Sequence, residues 1–147
     1  MAKIKDCVLE NVLRFVVSIA PDGQTATINF DGLRVSVGGK NSPSVATQVA
    51  SFTLPIIENA TDFHVKLFIS GYVFTQPGTR AIVVAHLGDT TASSSPPSDQ
   101  AYLLELEATF PAGVAVQPTL FLLAERNSVD ENLVASLEVE ALDFNLG

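Results

Sequence analysis

The chain has 147 residues, of which 47 % are apolar and 16 % are charged, and its formal net charge is −8. This length predicts one domain over residues 1–147, and the apolar share excludes an intrinsically disordered chain. The acidic balance argues against binding to nucleic acid, which needs clustered lysine and arginine, and the single cysteine excludes a disulfide framework and a cysteine-based zinc site.

The N-terminal segment contains two lysines but no long apolar stretch. Asp6, Glu10 and Arg14 interrupt it, so it does not match a signal peptide. No apolar run approaches the ~20 residues that span a bilayer. We therefore expect a soluble protein with no membrane partner, either cytoplasmic or released without a signal. Cys7 is expected to be a free, partly buried thiol, because no cationic cluster surrounds it to stabilise the thiolate.

The rest of the chain alternates between turn signals and short runs rich in Val, Ile, Leu, Phe and Thr. This pattern is typical of an antiparallel all-β domain. We predict a β-sandwich, with the jelly roll as one form of it, of about eight to ten strands.

The first predicted strands contain two ambiguities. Residues 8–19 fit either helical or strand spacing, and the β-branched residues before the Pro21-Asp22-Gly23 turn favour one strand from Val8 to Ile19. After Thr25–Phe30 the alternation changes phase at Asp31-Gly32. Either a bulge absorbs this change or a turn there separates two strands.

The predicted strand from Asp62 to Thr75 carries Phe68, Tyr72 and Phe74 on its supposed solvent side. Each aromatic ring can bury about 150–250 Å². At ~25 cal/mol per Å², exposing all three forgoes several kcal/mol. Three explanations are open: a subunit interface, a ligand-stacking platform, or a loop of the same domain that covers them.

Two other segments, residues 81–85 and 120–124, are apolar without alternation. A sandwich strand normally exposes one side to water. A strand that is apolar on both sides must be covered twice, by the second sheet and by either a loop or another copy of the protein.

Two pairs of glutamates stand at i, i+2 spacing: Glu105 with Glu107, and Glu138 with Glu140. Paired carboxylates can serve a glycoside hydrolase or hold a surface cation, but alternation with core residues favours a solvated outer face. The phase shift after Ala141 predicts another bulge.

The two histidines, His64 and His86, lie in separate predicted strands and could approach each other. Neither has neighbours with metal-ligand spacing. We predict no metal site, no cofactor and no catalytic residue.

These features together favour a non-enzymatic structural or assembly protein, a β-sandwich subunit of a homo-oligomer, shell, fibre or filament. The N-terminal strand is a candidate for exchange with, or addition to, another subunit's sheet. The alternative is a lectin-like module that binds carbohydrate or another small ligand through Phe68, Tyr72 and Phe74 or through carboxylates with a cation. A hydrolase that uses one of the glutamate pairs is the weakest interpretation.

Overall fold

The computed structural model describes residues 2–4, 6–10, 14–54, 56–57, 61–95, 99–127 and 129–146. The regular structure in these ranges consists of strands, and no helix there could cross a membrane. The strands are β1 Lys3–Ile4, β2 Val8–Glu10, β3 Phe15–Ile19, β4 Thr25–Phe30, β5 Arg34–Val37, β6 Val45–Thr53, β7 Ile56–Ile57, β8 Phe63–Thr75, β9 Thr79–Leu87, β10 Thr90–Ser94, β11 Gln100–Phe110, β12 Thr119–Arg126 and β13 Ala135–Leu146. Nine of these described strands have five or more residues.

Two antiparallel sheets pack against each other, which confirms the predicted β-sandwich. The five-stranded sheet has the order β10-β9-β12-β6-β2, and the six-stranded sheet has the order β11-β8-β13-β4-β3, with β5 also paired to β13. β1 and β7 form a separate short pair. From β11 to β13, successive strands alternate between the sheets, an arrangement consistent with a jelly roll.

The core lies between the two sheets. β12 of the five-stranded sheet contacts β5 and β13 of the six-stranded sheet. The inward residues are almost completely buried on both sides, for example Leu120 and Leu122 in one sheet and Leu142 and Ile69 in the other. The alternation therefore has a regular outcome: one set of side chains fills the core, and the other set forms two outer sheet faces.

The prediction of one N-terminal strand from Val8 to Ile19 is wrong. β2 pairs with β6 in the five-stranded sheet, whereas β3 pairs with β4 in the six-stranded sheet. Residues 11–13 of the predicted strand lie outside the described residues. The apolar pattern of β2 and β3 resembles one strand because each forms an edge of a sheet and needs inward apolar residues. The chain forms the edge of the five-stranded sheet first and the edge of the six-stranded sheet next.

At Asp31-Gly32 the chain divides into two strands but keeps its direction, so the observed break lies between the two predicted alternatives, a bulge and a turn. β4 and β5 both pair with β13, on the same side of it. Gly32 has a φ of +90°, and the Leu33 carbonyl accepts a hydrogen bond of 2.9 Å from the Val139 N–H. The predicted bulge is confirmed, because the register of β13 against β8 shifts between Val139 and Ala141.

Candidate functional site

The outer side of the five-stranded sheet carries a mostly apolar patch, which we call the apolar face. Its side chains come from the three interior strands, β9, β12 and β6, and share rows across the sheet. One row joins Val84, Phe121 and Val49, and the next joins Ile82 and Leu123 to the polar Thr47. Val45 stands in the row after that, beside Glu125. The apolar face consists of Val45, Val49, Ile82, Val84, Phe121 and Leu123.

The two sides of these strands differ sharply in burial. Inward neighbours such as Leu120 and Ala85 are completely buried, whereas the apolar face is half-buried at Phe121 and 41 % exposed at Val49. The main strand neighbours of β9 and β12 belong to their own sheet or to the opposite one. Among the strands that the structure describes, the second sheet therefore supplies one of the two predicted covers, and the outer side of these strands remains partly exposed.

Polar groups border the apolar face at both ends. At one end Arg80 forms a salt bridge with Glu125. At the other end His86 Nδ1 lies 2.9 Å from the Thr91 hydroxyl oxygen. An apolar centre with a polar rim is the usual composition of a protein interface.

The outer side of the six-stranded sheet is different, because aromatic and charged side chains alternate on it. Phe68, Tyr72 and Phe74 all lie on the outer side of β8, an interior strand of this sheet. Phe68 and Phe74 are half-buried, and Tyr72 is 40 % exposed. We call these three residues the aromatic stripe.

The two ends of the aromatic stripe have different surroundings. The Tyr72 hydroxyl donates a hydrogen bond to the Asp99 carboxylate, and this bond raises the pKa of Tyr72 above its usual value. Phe68 lies in register between Glu105 on β11 and Asp143 on β13. A shallow pocket of about 380 Å³ opens beside it, lined by Lys66, Phe68, Glu105, Leu106 and Glu107.

The glutamate pairs occupy unlike positions. Glu105 and Glu107 are exposed on β11, and a Glu107 carboxylate oxygen lies 3.2 Å from His64 Nε2. Glu138 is in register with Tyr72, whereas Glu140 occupies the bulge and has no partner on β8. The second pair therefore does not continue the regular alternation on which its prediction depended.

The expectation that the histidines could meet is wrong. His64 belongs to the six-stranded sheet and His86 to the five-stranded sheet, each on an outer face. In the described ranges no three or more His, Cys, Asp or Glu residues are placed to hold a metal ion. Cys7 is free and buried as expected, and burial, with a smaller effect from Asp6, raises the pKa of its thiol to about 12.

Sequence reasoning missed residues on both outer faces. Val45 and Val49 complete the apolar face, although Thr47 and Ser51 share their phase and made β6 resemble a solvated strand. Asp143 on β13 lies in register beside Phe68. The alternation of apolar and polar residues could not predict this contact, because the order of strands across the sheet determines which residues become neighbours.

No protein-family model matches the chain, and no curated protein matches it. Among solved structures, the chain is similar to one of infectious bursal disease virus, Gt strain, with 13 % identity and a TM-score of 0.48 over 89 % of this chain and 35 % of that chain. It is also similar to the enzymatically active domain of bacteriophage CBA120 tailspike protein 4, with 11 % identity and a TM-score of 0.37 over 99 % of this chain and 19 % of that one. For a family 16 carbohydrate-binding module the identity is 14 % and the TM-score 0.32, over 86 % of this chain and 85 % of that one. The chain thus spans about a third of the bursal disease virus chain. At these identities, function can be inferred only from the chain's own surfaces.

Proposed function

We propose that the protein is a structural subunit without catalytic activity, which associates with copies of itself through the apolar face. The observation that carries this proposal is the half-buried patch on the outer side of an otherwise buried sheet. Large exposed apolar patches with polar rims are typical of interaction sites. An assembly role needs no catalytic group, and the exposed glutamates of β11 then simply keep their side of the sandwich hydrated.

The apolar face can form the centre of a contact with a second copy. Three strands about 4.8 Å apart, followed over about six residues with a rise of ~3.3 Å per residue, give this face roughly 300 Å² in projection. A standard interface takes about 800 Å² of accessible surface from each partner, so the polar rim would supply the rest. A two-fold contact would bury the same patch on both copies, and two-fold dimers are the commonest closed assemblies. The polar groups at either end would then form the rim on both sides.

The test is the oligomeric state of the wild-type chain and of the Phe121→Lys variant, measured by light scattering after size exclusion and by sedimentation velocity. Wild type should exceed the monomer mass at high micromolar concentration. Phe121→Lys should have a lower average mass than wild type at every concentration, because association through the apolar face would bury an unpaired ammonium group.

The matched control is Leu103→Lys, which adds the same charge at a 61 % exposed position on the six-stranded sheet. This variant should associate like wild type. A monomeric wild type, or equal loss of association in both variants, would overturn the proposal. Far-UV circular dichroism of each variant separates loss of association from loss of folding.

We propose carbohydrate binding on the aromatic stripe as a second candidate function, and it uses the opposite side of the sandwich. A half-buried ring at Phe68, with carboxylates of Glu105 and Asp143 in register on either side, could stack on a sugar ring and accept hydrogen bonds from its hydroxyl groups. The pocket that opens beside Phe68 supports this candidate. The absence of tryptophan from the sequence weakens it.

Calorimetry against a panel of soluble neutral oligosaccharides tests this candidate. Any sugar that binds should lose at least about tenfold in affinity with Phe68→Ala and with Tyr72→Ala, since each variant removes a stacking surface worth roughly 1.4 kcal/mol. Phe121→Lys is the control, because it should leave sugar binding unchanged. Failure of the whole panel to bind would remove carbohydrate binding and leave self-association untouched.

A further inference from the structure

β3 is an edge strand of the six-stranded sheet and, in the described part of the chain, pairs on one side only, with β4. Its five residues, Phe-Val-Val-Ser-Ile, include no charged side chain and no proline. Natural sheets protect their edges with charges, prolines, bulges or very short strands, because an open edge can pair with another chain. β3 contains none of these protections.

The other described edges are protected. β11 carries the exposed Glu105 and Glu107, and its Glu107 carbonyl accepts a hydrogen bond of 3.1 Å from the Thr90 hydroxyl of β10. That contact holds two edges of the sandwich against each other. β2 has only three residues. Because β3 lacks the protection that these other edge strands have, its open edge is available for pairing with another strand.

The direction of the β3 backbone groups follows from its register with β4. The Asp31 N–H donates to the Arg14 carbonyl at 3.1 Å, and the Ala20 N–H donates to the Thr25 carbonyl at 3.0 Å. Antiparallel pairs alternate between hydrogen-bonded and non-hydrogen-bonded positions. By this alternation, residues 16 and 18 direct their N–H and C=O groups towards β4, and residues 15, 17 and 19 direct theirs away from the sheet.

We infer that this free edge is a second contact between copies, in which β3 of another molecule adds antiparallel to β3 and is centred on Val17. In that register, residue 15 of each copy pairs with residue 19 of the other, and residue 17 pairs with its counterpart. Each outward N–H then meets an outward C=O. The six-stranded sheet continues without interruption into the sheet of the second copy.

Charge and exposure both favour a second copy in this orientation. Arg14, which also lies 3.5 Å from Asp31, precedes β3, and Asp22 follows β3. Antiparallel addition places Arg14 of each copy two residues from Asp22 of the other, whereas parallel addition would bring the two Arg14 side chains together and the two Asp22 side chains together. Val16 is 64 % exposed on β3, and a paired strand would cover part of it. The inference does not depend on the apolar face, which lies on the other sheet.

Backbone hydrogen exchange on the wild-type chain tests this contact directly, at low micromolar and near-millimolar concentration. The amides of Val17 and Ile19 should exchange roughly tenfold more slowly at the higher concentration, because only pairing with a second copy bonds them. The amides of Val16 and Ser18, which bond β4, should be equally protected at both. Exchange at Val17 and Ile19 that does not change with concentration would overturn the inference.

Two variants separate this contact from the apolar face. Val17→Pro removes an outward donor and leaves the bonds to β4, so it should abolish any concentration dependence that remains at Ile19. Phe121→Lys should retain that dependence even where it abolishes association through the apolar face. If Val17→Pro fails to fold, the wild-type exchange data still decide. If Phe121→Lys also removes the protection at β3, the edge contact is not independent and the inference fails as stated.

Discussion

The two sheets of this sandwich bury their inner sides equally well but differ on their outer sides. The interior strands of the five-stranded sheet carry Val, Ile, Leu and Phe outward with one Thr among them, whereas the interior strands of the six-stranded sheet carry Lys, Glu, Asp and Asn among three aromatics. The exposed Leu103 and Val16 lie on the edge strands of the six-stranded sheet. A two-layer chain can cover only one side of each sheet. The polar outer side is readily hydrated, and the apolar one would be stabilised by the partner that we propose.

The sheets also differ in regularity. Within the described strands, β9, β12 and β6 keep one register along their length, whereas β13 has a bulge at Glu140 opposite the break between β4 and β5. A bulge bends a strand and increases its local twist. The regular register of the five-stranded sheet supports the proposal that its outer side packs against a copy of itself.

The largest effect that we expect is at Gly71 in the six-stranded sheet, which we call the bulged sheet because β13 carries the bulge. A Cβ atom there would lie 1.9 Å from the Glu138 carbonyl oxygen and 2.6 Å from the Tyr102 hydroxyl oxygen. Because both contacts lie in the interior of the sheet, Gly71→Ala should lower the free energy of unfolding by about 3 kcal/mol or more. Urea denaturation followed by circular dichroism measures this loss.

Ser70→Ala is the control, since it adjoins Gly71 but faces outward. It should change the free energy of unfolding by no more than about 0.5 kcal/mol. If Gly71→Ala loses as little stability as Ser70→Ala, the six-stranded sheet tolerates a methyl group at its centre. The bulge in β13 would then place no tight constraint on packing.

Much of this contrast was predictable from alternation. A one-residue phase shift after Ala141 predicted a bulge in β13, which lies one residue earlier, at Glu140. Strict period two predicted the outward aromatics of β8. The strands apolar on both sides were recognised because residues 81–85 and 120–124 do not alternate. In each case a local rule was sufficient, because side-chain direction in a strand depends only on position along it.

What alternation could not predict depended on neighbours distant in sequence. Val8–Ile19 looked like one strand, because nothing local indicates that a chain leaves one sheet for the other. The two histidines looked able to meet, because strand order cannot be derived from period two. The apolar face depends on the row that joins Val49, Phe121 and Val84 across three strands, and no local pattern predicts that row.

The smaller expected effect concerns Tyr102, which bonds across the bulged sheet. Its hydroxyl donates a 2.8 Å hydrogen bond to the Glu138 carbonyl beside the bulge. Tyr102→Phe should cost about 1 kcal/mol at neutral pH, the usual net value of such a bond. Tyr72→Phe, which removes a hydroxyl from the exposed stripe, is the matched control and should cost less. Equal losses would mean that the bond at the bulge stabilises the fold no more than an exposed one.

The pH dependence of these variants sharpens the test. Burial, followed by the charges of Glu140 and Glu138, raises the pKa of Tyr102 above that of an exposed tyrosine. The unfolded chain therefore loses this proton first, so the stability from the protonated phenol is complete below about pH 10 and declines as the pH rises further. We expect the free energy of unfolding to fall less in Tyr102→Phe than in wild type when the pH is raised from neutral to above about 10. Urea denaturation at both pH values measures this difference. Cys7 and Tyr72 also have raised pKa values, so some alkaline loss remains in the variant. An alkaline loss identical to that of wild type would place its origin in those two groups instead of the bulged sheet.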